Sequence, residues 1–241
     1  MERQRVMKVL RYLVDRLVAL KVEGSENVQD GTAYIVATSH ISRLDTPFLM
    51  LSTHRQDIIA MVAREYEKAP FFGWFLNKLG VIWISRDGYD LSAFREASIH
   101  LKNNWIVGIA PEGTRSKTQQ LLEGKPGAAL LAIRNQVQVI PTAVIGSTNV
   151  FQSILRLKKA QVEVRFGKPF MLSQVHDEKT TKDRLQQATD EIMCHIALLL
   201  PEERRGFYAN HPRLKELQAE HNTPQKEGSS ITEDSHDSNS R

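Results

Sequence analysis

One cysteine, Cys194, is all the chain has among its 241 residues. An internal disulfide and a cysteine-built metal cluster are thereby excluded, and Cys194 is expected to be a helix-packing residue in a reducing, cytosolic setting. No secretory leader is recognised at the N-terminus. Long apolar runs are also missing. Ala128-Ala-Leu-Leu-Ala-Ile133 is among the longest, far short of the roughly 18 residues needed to span a bilayer. Neither a Cys/His cluster nor a helical His-Glu-x-x-His is present, so a metallohydrolase has little support and no metal is expected. Aromatic residues make up 7% of the chain and nowhere interleave with a basic run, so nucleic acid is not an expected partner.

With 41% hydrophobic residues, the length suits one large domain with a sizeable core. The formal charge is +4, unevenly spread. From Glu216 to Arg241 six acidic residues face two basic ones, net −4, leaving +4 − (−4) = +8 for the remainder. That acidic end, 216–241, is expected to be a tail, disordered from about Thr223 onward. Residues 1–22 carry Arg3, Arg5, Lys8, Arg11, Arg16 and Lys21, interleaved with Val6, Leu10, Leu13, Leu17 and Leu20. The spacing predicts a basic amphipathic helix. Two roles stay open for it: lying on an anionic membrane surface, or packing on the domain with its charges in water.

Between these ends, 23–215, short apolar strands alternate with helical stretches. Strands are predicted at 33–38, 58–63, 80–84, 105–110, 138–145 and 161–166, and helices near 47–54, 70–79, 90–103, 125–135 and 181–200. The plan is α/β, with a mostly parallel central sheet flanked by helices. The alternating strand Gln161-Val-Glu-Val-Arg-Phe166 is expected at an edge.

In such sheets ligands gather where loops leave the carboxyl ends of strands, and the chemistry-bearing residues fall there. Ser39-His-Ile-Ser-Arg-Leu-Asp-Thr-Pro47 places His40 and Asp45 five apart. On one helix they would diverge by about 140°, so they meet only if the chain bends. Thr46 as N-cap and Pro47 as first helical residue would supply the bend. Asp45 could then fix the imidazole tautomer and leave the other nitrogen as a base for a substrate hydroxyl. A loop histidine bonded to a helix cap is the structural alternative. Arg86 follows the strand ending at Ile84, where it is either a site cation or an ordinary surface arginine. Pro111-Glu-Gly-Thr-Arg-Ser116 sets a carboxylate, a glycine, hydroxyls and a fork-shaped cation in six residues. Arg115 and Thr114 suit phosphate oxygens, and Gly113 admits close backbone approach. Lys125 then opens the next helix.

Four of these stretches, in order, resemble the sequence blocks of the glycerolipid acyltransferases, the family of 1-acyl-glycerol-3-phosphate acyltransferases. His40-Ile-Ser-Arg-Leu-Asp45 is similar to its H-x4-D block, Gly80-Val-Ile-Trp-Ile-Ser-Arg86 to the second, Pro111–Ser116 to the third and Val139-Ile-Pro-Thr-Ala143 to the fourth. The family usually has Asn before the histidine; this chain has Ser39. The resemblance implies a glycerol-3-phosphate acyltransferase-like fold. It also implies transfer of a fatty acyl group from a thioester, acyl-CoA or acyl carrier protein, to the hydroxyl of lysophosphatidic acid at the cytoplasmic face of a membrane. His40 would be the base and Asp45 its orienter; Arg86, Arg115 and Lys125 would hold the acceptor phosphate, and Glu112 would be the acceptor-binding carboxylate. No cofactor is implied beyond the acyl co-substrate. Another acceptor, lysophospholipid or glycerol 3-phosphate, and a catalytically silent lipid-binding adaptor stay open as alternatives.

Overall fold

Seven short, largely apolar segments pair into one sheet in the computed structural model, which describes residues 2–85, 90–172 and 182–222. In chain order the strands are β1 (Val18–Glu23), β2 (Tyr34–Thr38), β3 (Ile58–Ala63), β4 (Val81–Ile84), β5 (Ile106–Ile109), β6 (Gln138–Ile145) and β7 (Ala160–Phe166). Their spatial order is β1-β7-β6-β2-β5-β3-β4. All neighbours run parallel except β6 and β7.

β2 lies at the centre and shows why its strand reads as apolar throughout. Ile35 and Ala37 point into one core layer, beneath α4 (Leu91–Lys102), α5 (Gly127–Asn135) and α7 (Lys182–Leu199). Tyr34 and Val36 point into the other, beneath α1 (Glu2–Leu17), α2 (Asp45–Leu51), α3 (Pro70–Leu79) and α6 (Val150–Leu155). With helices on both faces every position of the strand leaves water, which contributes about 1.5–3 kcal/mol for each large aliphatic side chain. Cys194 packs in the first layer on α7, and burial pushes its thiol up to about 12.

The predicted strands and five predicted helices are present, with shifted ends. Four expectations change. The N-terminal helix stops at Leu17, because Val18–Glu23 pairs in register with Ala160–Arg165 as an added strand. That strand covers the open side of β7, so β7 is interior; its alternation reports one face left partly exposed, with Gln161 in water, not an edge. Helix α2 opens at Asp45, not Pro47, and Leu44 in the cap position makes no side-chain cap bond. The last helix, α8 (Pro212–Asn222), buries Leu214 and Leu217, so the folded body continues past 215. Residues 223–241 lie outside the described part.

Helix α1 is docked on the domain. Val14 is buried, and Val6, Met7 and Leu10 pack against the core. Arg3 donates to the Ile58 carbonyl, and Arg11 to that of Leu51 at 2.7 Å. Val9, Tyr12, Leu13 and Leu17 remain exposed. Among the described residues no helix is long and apolar enough to cross a membrane.

Candidate active site

The parallel strands deliver four loops to one end of the sheet. His40 leaves β2, Glu112 to Ser116 leave β5 on one side of it, Ser147 leaves β6 on the other, and Tyr66 follows β3. The bend that the His40–Asp45 spacing demands is made by the short loop before α2. His40 Nδ1 lies 3.2 Å from Asp45 Oδ2. A carboxylate accepts, so Nδ1 donates to Asp45, and the neutral tautomer that this bond selects presents Nε2 as the acceptor.

The same oxygen accepts the Ile41 N–H at 2.8 Å and the Ser42 N–H at 2.7 Å, while Oδ1 accepts the Ser147 hydroxyl at 2.6 Å. Asp45 is 1% exposed. One buried carboxylate therefore both folds the loop and orients the imidazole, so the structural and orienting readings of the pair coexist in its geometry.

The third block grips His40 through its backbone. Glu112 Oε1 accepts the His40 N–H at 2.9 Å, its Oε2 accepts the Leu122 N–H at 2.9 Å, and the Ser116 N–H donates to the His40 carbonyl at 2.9 Å. Glu112 is 1% exposed, and burial raises its carboxyl to about 7 against the pull of these N–H bonds. The carboxylate, which the resemblance implied binds the acceptor, is turned inward onto these N–H groups and is absent from the linings of the two cavities described next. Gly113 adopts φ 65°, and a Cβ there would meet Lys125 Cδ at 3.0 Å, so its missing side chain makes room for the lysine.

An apolar groove of about 380 Å³ opens at His40. Leu49, Ala60, Met61, Phe72, Leu76, Phe94 and Gly108 supply its apolar lining, and Arg43, Arg115 and Lys125 its charges. No carboxylate is found among the described residues that line it. A second, polar cavity of about 410 Å³ shares Tyr66 and Arg115 with the groove and is lined also by Thr114, Ser116, Lys117 and Thr148. Of the residues expected to form the site, His40, Gly113, Arg115 and Lys125 share the groove, Thr114 faces the second cavity, and Arg86 lies outside the described residues.

Four contributors escaped the sequence reading. Ser147 carried only its place at a strand's carboxyl end. Arg43 lay inside the first block but at one of its unspecified positions, and Tyr66 lay in a stretch without a motif. Tyr208 accepts the Gly124 N–H at 3.0 Å and donates to Asp190 Oδ1 at 3.0 Å, anchoring the segment that precedes Lys125. Nothing local marks it.

Residues 19–145 match the acyltransferase family, and the chain belongs to that family. It is 31% identical over 127 residues to the 1-acyl-sn-glycerol-3-phosphate acyltransferase of Helicobacter pylori, covering 52% of this chain and 53% of that protein. With the enzyme of the same description from Bacillus subtilis the identity is 24% over 187 residues, 78% of this chain and 91% of the relative. The match to the Borreliella burgdorferi protein of that description spans 54% of it, so the chain covers about half the length of several relatives. The crystal structure of the 1-acyl-sn-glycerophosphate acyltransferase from Thermotoga maritima has the same fold, with TM-score 0.58 at 22% identity over 90% of this chain and 80% of that one.

Proposed function

We propose that the protein transfers a fatty acyl group from acyl-CoA or acyl carrier protein to the free hydroxyl of lysophosphatidic acid, forming phosphatidic acid. The observation that carries this reading is the His40 Nδ1–Asp45 bond, which commits the other ring nitrogen to substrate, at an apolar groove whose described charged residues are all cations. Nε2 takes the proton of the acceptor hydroxyl as its oxygen attacks the thioester carbonyl. The tetrahedral intermediate collapses with cleavage of the C–S bond, and the imidazolium returns the proton to the departing thiolate. Asp45 stabilises the imidazolium through Nδ1, so no acyl-enzyme is needed. The groove takes the acyl chain, and Arg115 and Lys125 hold the acceptor phosphate by charge-assisted hydrogen bonds; Arg86 is assigned the same role from the resemblance.

The enzyme works at the cytoplasmic face of the membrane as a peripheral protein. Two features support this: the exposed Val9, Tyr12, Leu13 and Leu17 on α1, and Phe71 and Trp74 on α3, whose opposite side supplies Phe72 and Leu76 to the groove. Docking through α3 would set the groove against the lipid from which the acceptor comes.

The test is thiol release from acyl-CoA by the purified protein, with lysophosphatidic acid, lysophosphatidylcholine and glycerol 3-phosphate as acceptors. Release that depends on lysophosphatidic acid and is lost in His40→Ala is expected. Preference for either other acceptor would overturn the assignment, and silence with all three would favour the adaptor.

A further inference from the structure

Some cations in this fold are neutralised by carboxylates. Arg213 pairs with Glu191, Glu216 and Glu220, Arg165 with Glu163, and Arg55 with Asp57. Arg43 and Arg115 are not among them: among the described residues neither pairs with a carboxylate, and both line the groove. Instead both lie on one aromatic ring, their guanidinium carbons 5.5 Å and 5.8 Å from the Tyr66 centroid. The ring's quadrupole attracts each cation but leaves their charges unneutralised. Arg115 Nε also donates to the Tyr66 hydroxyl at 3.1 Å. With Nε occupied, the edge formed by Nη1 and Nη2 keeps the fork that matches two phosphate oxygens.

The geometry points to Arg43, Tyr66 and Arg115 as one headgroup clamp that selects a phosphomonoester acceptor, with Arg43 a phosphate ligand and Tyr66 the positioning residue between the two arginines. This rests on the acyltransferase reading above. All three residues line the groove that His40 opens. A dianion there relieves the repulsion between two like charges and accepts from both, whereas a phosphodiester bearing a cationic headgroup meets the same arginines as a repulsive wall.

Each part is held in place. Phe72 packs edge-on against Tyr66 with centroids 5.7 Å apart. Gly73 lets α3 rest on the Tyr66 turn, where a Cβ would come within 2.3 Å of the Glu67 carbonyl oxygen and 2.7 Å of that of Tyr66. Arg43 rides on the loop whose N–H groups Asp45 gathers. Base and headgroup cation thus share one short loop, three residues apart, which fixes how far from the phosphate the reacting hydroxyl can lie.

Full-length Arg43→Ala, Tyr66→Phe and Tyr66→Leu decide the matter by two readouts: acceptor and donor KM, and the rise in Tm that inorganic phosphate produces, which needs no turnover. Arg43 is exposed, so Arg43→Ala should keep the Tm of the free protein. Its KM for lysophosphatidic acid should rise about 10- to 100-fold, the loss expected of one charge-assisted hydrogen bond, with donor KM unchanged and the phosphate-induced Tm rise reduced. Discrimination against lysophosphatidylcholine should narrow. Tyr66→Phe, which keeps the ring and loses the hydroxyl, should fall between wild type and Tyr66→Leu. An unchanged acceptor KM together with an unchanged phosphate response in Arg43→Ala overturns the clamp. Should the wild type release no thiol with any acceptor, the acyltransferase reading falls, and the phosphate response alone still decides whether the clamp exists.

Discussion

Replacing Glu112 with Gln probes the buried carboxyl on which the placement of His40 depends. Burial raises this group from 4.5 to about 7, with the N–H bonds from Leu122 and His40 pulling the other way. The folded protein therefore binds the proton more tightly than the unfolded chain does. The group's contribution to stability is fully present below about pH 4.5 and is lost as pH rises through about 7. The gap, 7 − 4.5 = 2.5, bounds that loss at about 3 kcal/mol, taking 1.36 kcal/mol for each pH unit. Glutamine does not titrate. Its amide nitrogen cannot accept, so one of the two N–H bonds to Glu112 is lost at every pH; that deficit is constant, and only the slope of the stability difference with pH reports the carboxyl.

Urea unfolding of both proteins from about pH 5 to 8, taken as a difference, cancels every titrating group they share. The variant should gain on the wild type with rising pH, by up to about 3 kcal/mol. The opposite slope would mean that the His40 and Leu122 N–H bonds outweigh desolvation, and would refute the reasoning. Glu112 lines neither cavity, so kcat should fall with acceptor KM little changed; a rise in KM alone would support the acceptor-binding role implied by the family resemblance.

His40→Ala should lower turnover by about 10²- to 10⁴-fold with folding intact; Asp45→Asn should lower it too and also reduce urea stability, since the amide cannot accept the His40, Ile41, Ser42 and Ser147 donors together. Gly108→Val should fill the groove next to Leu49, where a Cβ would already stand 3.6 Å from Leu49 Cδ2, and shift donor preference to shorter acyl chains in a chain-length series. Neutralising Arg5, Lys8 and Arg16 should weaken co-sedimentation with anionic vesicles by about 1 kcal/mol per charge at low salt. Arg3 and Arg11 must be left intact in that experiment, because they hold α1 on the domain and their loss would lower Tm.

Most of the layered α/β plan was legible because it rests on local signals: apolar runs of strand length, period-3.6 helices and strand-end loops rich in polar residues. His40, Asp45, Gly113, Arg115 and Lys125 stood out because backbone geometry and functional groups concentrate within a few residues. The first block even required a bend, since its spacing cannot work on a helix. What tertiary structure decided was everything that depends on which strand lies beside which. Pairing of Val18–Glu23 with β7 turned a supposed helical end into a strand and a supposed edge into an interior strand. Adjacency of β2 to β5 and β6 aimed Glu112 at the His40 backbone and Ser147 at Asp45, partners 72 and 102 residues away. Tyr66 met Arg43 and Arg115 only when the loops after β2, β3 and β5 converged. Such contacts leave no periodicity in the chain, because hydrogen bonds and ring contacts act over a few ångströms in space whatever the separation along the sequence.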